Sequence, residues 1–105
     1  MNAATQLFLK YLRNEHDIEA NPKEIAWEGI KMYHEEIDLN LFPEEILKKL
    51  PDPLLLLTAS YVDEEDQEWI FCIATEVYFP TKWLHALCLK EGEQIDENVP
   101  LDCWE

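Results

Sequence analysis

Glycine is nearly missing from this chain: Gly29 and Gly92 are the only two in 105 residues. Loops that wrap a phosphate with bare backbone need several glycines close together, so a Walker or dinucleotide-binding loop is excluded. Basic residues are scarce as well, with eight Lys and Arg against 23 Asp and Glu, a formal net charge of −15. A field of that sign repels nucleic acid and anionic membranes and attracts basic surfaces, so no direct nucleic-acid contact is expected. No apolar run approaches the roughly 20 residues that span a bilayer, and no leader with a small-residue cleavage site opens the chain. Cys72, Cys88 and Cys103 are odd in number and lack C-x-x-C spacing. They read as reduced, buried thiols, and the expected location is cytoplasmic.

Apolar material is not lacking. The chain is 48% hydrophobic and 11% aromatic, which separates it from disordered acidic chains. Trp27, Trp69, Trp83 and Trp104 are spread along its length, so residues 1–105 are expected to form one domain around one core. The charge is uneven. Residues 1–53 carry six basic and 11 acidic side chains, residues 54–105 two and 12, balances of −5 and −10. After Lys90 only acids follow: Glu91, Glu93, Asp96, Glu97, Asp102 and Glu105.

The hydrophobic period divides the chain into a helical half, 1–53, and a sheet half, 54–105. Ala4, Leu7, Phe8, Tyr11 and Leu12 recur at helical spacing and predict a helix over 2–14. Asn21-Pro22-x-Glu24 has the form of a helix start, and Ala26, Ile30, Tyr33 and Ile37 give the second helix its stripe. A third, short helix over Pro43–Leu50 has Glu44 and Glu45 in its first turn and Lys48 and Lys49 in its last, matching the dipole. Pro51-Asp52-Pro53 ends it. Leu54–Val62 and Gln67–Phe79 are then strands of a hairpin turned at Asp63-Glu64-Glu65-Asp66. In the second strand Trp69, Phe71, Ile73, Thr75, Val77 and Phe79 share one face. Ile70, Cys72 and Ala74 line the other, which is too apolar to stay wet and needs the C-terminal segment or a partner to cover it. Trp83–Lys90 fits either a strand or a helix closed by Gly92; the strand is preferred, because it completes a meander. The expected class is therefore α+β: about three N-terminal helices packed on a small antiparallel meander, with an acidic C-terminal segment.

The search for chemistry is largely negative. His16, His34 and His85 stand in no ligand spacing, and the adjacent His34, Glu35 and Glu36 would diverge on a helix. His85 and Cys88 would face opposite sides of a strand, and apolar neighbours raise a thiol pKa. Glu64-Glu65-x-x-Glu68 formally matches an acidic metal-binding pattern found on helices of some nucleotide pyrophosphohydrolases. Here it falls on a hairpin tip, and the second carboxylate motif those enzymes need is missing. No catalytic residue, metal or cofactor is nominated.

The expectation is a non-enzymatic acidic protein that neutralises or escorts a basic protein partner. Immunity proteins, antitoxins and nucleic-acid mimics are of this type; the partner would be a nuclease, a toxin or a nucleic-acid-binding protein. The surface nominated for it is Asp63, Glu64, Glu65, Asp66 and Glu68, with Glu93, Asp96, Glu97 and Asp102. Trp69, Tyr78 and Trp104 are nominated as exposed aromatic anchors. The alternative is a structural or adaptor subunit that associates through the apolar second sheet face, with another protein or as a homodimer.

Overall fold

The computed structural model describes residues 3–37, 39, 42–91 and 93–96. Helix α1 (Ala3–His16) opens the chain, as its period predicts, and buries Thr5, Leu7, Phe8, Tyr11 and Leu12. Arg13 and His16 occupy its last turn, where a positive charge suits the dipole. Asp17 then turns left-handed at φ 54°, and the Ile18 N–H donates back to the Leu12 carbonyl at 3.0 Å.

The second expected helix does not form. Asn21 does cap, its side-chain oxygen accepting from the Lys23 N–H at 3.0 Å, but the helix it starts is a single 3-10 turn, Pro22–Glu24. Strand β1 (Ala26–Met32) follows, paired antiparallel with Leu54–Ser60. Two features favour the strand. Gly29 and β-branched Ile30 are poor helix formers, and pairing satisfies a full ladder of backbone groups. Pairing also places Trp27 edge-on to Phe8 and Phe71, at 6.5 and 6.3 Å, with its indole N–H donating to the Thr5 hydroxyl at 2.8 Å. A second 3-10 turn, His34–Glu36, ends the segment. Helix α2 is shorter than expected, Glu44–Leu47, and its last residues tighten into turns through Leu50.

Strands β2 (Leu54–Val62), β3 (Glu68–Glu76), β4 (Phe79–Lys90) and β5 (Glu93–Asp96) complete a five-stranded antiparallel meander in the order β1-β2-β3-β4-β5. Trp83–Lys90 is thus strand, within β4. Because β1 precedes Pro51, the prolines do not separate helices from sheet. The second expected strand, Gln67–Phe79, stops at Glu76: Val77 and Tyr78 form the β3–β4 turn and Phe79 opens β4 opposite Glu76, 61% exposed, so neither Val77 nor Phe79 continues the face of Trp69.

Both faces of the sheet are covered, by different parts of the chain. On one, α1 brings Leu7, Phe8, Tyr11 and Leu12 onto Ala59, Trp69, Phe71, Ile73 and Cys88. Phe8 stacks on Phe71 at 4.9 Å. On the other, Ile37, Phe42, Leu47 and Leu50 lie on Leu54, Leu56, Cys72, Ala74 and Leu87. The second apolar face is therefore covered by the chain's own segment around α2. Double coverage explains why β3 reads as a nearly unbroken apolar run. No helix among the described residues is long and apolar enough to cross a membrane.

Candidate functional site

The meander brings together carboxylates that lie far apart in sequence. The β2–β3 turn, Asp63–Gln67, projects from one end of the sheet. Trp69 pairs with Lys90 in the ladder, so the β4–β5 turn leaves from the same end. There the Glu91 N–H donates to the Glu68 carbonyl at 2.8 Å, and the Glu91 carboxylate accepts from the Glu68 N–H at 2.6 Å. The nominated Glu64, Glu65, Asp66 and Glu68 thus share this end with Glu91 and Glu93, all of them exposed. The exposed end of α1 adds Asp17 and Glu19, which line one cleft together with Asp63, Glu64 and Glu65.

Asp63 has a different task from its neighbours. Its Oδ1 accepts from the Glu65 and Gln67 N–H groups, both at 2.9 Å, and its Oδ2 from the Trp69 indole N–H at 2.9 Å. The indole bond first, then the Gln67 and Glu65 amides and the nearby Lys90, hold its carboxyl below the ordinary range. With Asp66 left-handed at φ 66° and its N–H bonded to the Asp63 carbonyl, the turn is fixed from within. Asp63 is the brace of the acidic tip, and Glu64, Glu65 and Asp66 are its outward charges. Burial, followed by the charges of Glu24, Asp63 and Glu64, raises the Tyr61 hydroxyl pKa beside them.

Trp69 is not an exposed anchor. It is 2% exposed, tied to Asp63, with the His16 ring 4.7 Å away and the Lys90 ammonium 5.0 Å from its ring centre. It lies on the same face as Phe71 and Ile73, and that face is the one α1 covers. Tyr78 is 87% exposed, but it sits on the β3–β4 turn, at the opposite end of the sheet. Asp96 belongs to β5, paired with Cys88. Glu97, Asp102 and Trp104 lie outside the described residues. Asp17 and Glu19 are outside the surface expected from sequence, whereas Glu91 belongs with the acids after Lys90. Asp17 and Glu91 both stand left-handed, at φ 54° and 53°, where the chain leaves α1 and β4.

The nucleophile and metal candidates occupy other settings. Cys72 is buried, and burial pushes its thiol up to about 12. His85 lies 5.8 Å from Phe42 on one face, while Cys88 belongs to the core on the other. The His34 ring nitrogen is bonded to the Pro51 carbonyl at 2.7 Å. Among the described residues no group of three metal-ligating side chains converges. What the acidic end can do is attract cations and hold them by charge-assisted hydrogen bonds. Comparison with protein-family models, with curated proteins and with solved structures finds no significant match to this chain.

Proposed function

We propose that the protein is a non-enzymatic acidic binder that neutralises or escorts a basic protein partner, such as a nuclease, a toxin or a nucleic-acid-binding protein. The observation that supports this reading is convergence. Carboxylates from the end of α1, the β2–β3 turn and the β4–β5 turn meet at one end of the sheet, on a turn braced by Asp63. Scattered surface acids give solubility, whereas acids gathered on a fixed frame give a directed field that steers a basic surface into register. The adaptor reading depended on a bare apolar sheet face, and that face carries Phe42, Leu47 and Leu50.

The test is binding to basic proteins, nucleases among them, measured at low salt and near physiological ionic strength of about 0.15 M. Binding that weakens with salt and falls on joint replacement of Glu64, Glu65, Glu68 and Glu91 by Gln supports the proposal. Failure to bind any basic protein at low salt sinks it.

A further inference from the structure

We propose that the cleft at the acidic end receives an arginine side chain of the basic partner, and that Lys90 is the internal cation which that side chain displaces. This rests on the binding reading above and adds the chemistry of recognition.

The cleft has a volume of about 510 Å³ and lies between the end of α1 and the β2–β3 turn. Asp17 and Glu19 stand on one wall, Glu64 and Glu65 on the other, with Trp69 and Lys90 also lining it. It already holds a cation, the chain's own: the Lys90 ammonium rests 5.0 Å from the centre of the Trp69 ring. That is the geometry of a cation–π contact, and Arg engages in such contacts more often than Lys. The ring is held by its bond to Asp63, so it keeps its place when the cation is exchanged.

Two differences favour a guanidinium over the resident ammonium. A guanidinium is more weakly hydrated, and its planar fork meets carboxylates in pairs, whereas an ammonium acts as a hydrated point charge. Both oxygens of Asp63 already accept hydrogen bonds from the turn, so the exposed Asp17, Glu19, Glu64 and Glu65 are the groups left to take the fork. Lys90, on a flexible stem at the end of β4, can swing out to solvent as the arginine enters.

The experiment titrates hexa-arginine and hexa-lysine peptides into the full chain at low salt and follows the indole N–H resonances. Hexa-arginine is expected to bind more tightly than hexa-lysine and to shift the Trp69 indole signal while leaving that of Trp27 in place. Lys90→Met should tighten hexa-arginine binding about tenfold. Lys48→Met removes the same charge beside α2 and should change it by less than about twofold. Lys90→Arg, which puts the better-fitting cation on the ring from within, should weaken hexa-arginine binding about threefold or more. Equal tightening by Lys90→Met and Lys48→Met would reduce Lys90 to its net charge and overturn the cleft, with the binding reading intact. Weaker binding by Lys90→Met, with Lys90→Arg normal, would make Lys90 a positioning group and overturn displacement. No peptide binding to any variant at low salt would count against the binding reading itself.

Discussion

The two ends of the sheet are built on opposite terms. At one, the turns at 63–67 and 90–93 carry carboxylates, and beneath them Asp63, Trp69, Tyr11 and His16 are joined by short hydrogen bonds and ring contacts. At the other, Tyr78 on the β3–β4 turn and Phe79 at the start of β4 stand largely in solvent, and Tyr33 after β1 is partly exposed. A charged surface with a fixed frame beneath it can present its charges in register. The comparison predicts that mutations at the two ends differ sharply in cost.

The largest effect is expected from Trp69→Ala. It opens a cavity under the tip and removes the indole donor from Asp63, and should cost about 3–5 kcal/mol by denaturant unfolding. A loss below 1 kcal/mol would mean that the frame is not what holds this end.

Next comes Trp69→Phe, which keeps much of the packing but loses the indole N–H. About 1 kcal/mol is expected, since Asp63 retains its two amide donors and is only partly buried.

Asp63→Asn sharpens the same point through pH. The folded Asp63 carboxyl lies below its ordinary value, so its contribution to stability is complete above the ordinary carboxylate range. It is lost as pH falls through that range toward the folded value. Acid unfolding of Asp63→Asn should therefore show a shallower fall there than wild type. An unchanged slope would remove Asp63 as the brace.

The smallest effect is expected at the other end. The double variant Tyr78→Ser, Phe79→Ser should change unfolding free energy by no more than about 0.5 kcal/mol. A larger loss would show that those rings are packed.

How much of this was legible in the sequence depended on whether local pattern or tertiary pairing decided the outcome. The period of Leu7, Phe8, Tyr11 and Leu12 gave α1, and the acidic turn between two apolar runs gave the β2–β3 hairpin. The Asn21-Pro22 signal was read by the chain as well, but pairing with β2 overrode it after one turn. A start signal says where a helix can begin and nothing about how long it survives competition from a strand partner. The site was half legible. Composition pointed to the 63–68 carboxylates, yet their joining to Glu91 needed the register of β3 with β4, and the roofing of Trp69 by His16 needed the position of α1. Asp63 and Glu64 are adjacent acids that sequence treats alike. Only the three donors aimed at Asp63 separate a brace from a free charge.

The most direct test of the account compares two variants of equal net charge. One replaces Glu64, Glu65, Glu68 and Glu91 by Gln at the acidic end; the other replaces Glu35, Glu36, Glu44 and Glu45 on the second 3-10 turn and α2. Affinity for a basic protein partner is measured against salt for both. The account predicts that only the acidic-end variant loses affinity and flattens the salt dependence. Equal losses in the two would contradict it, because the charge would then act as a diffuse coat and not as a site.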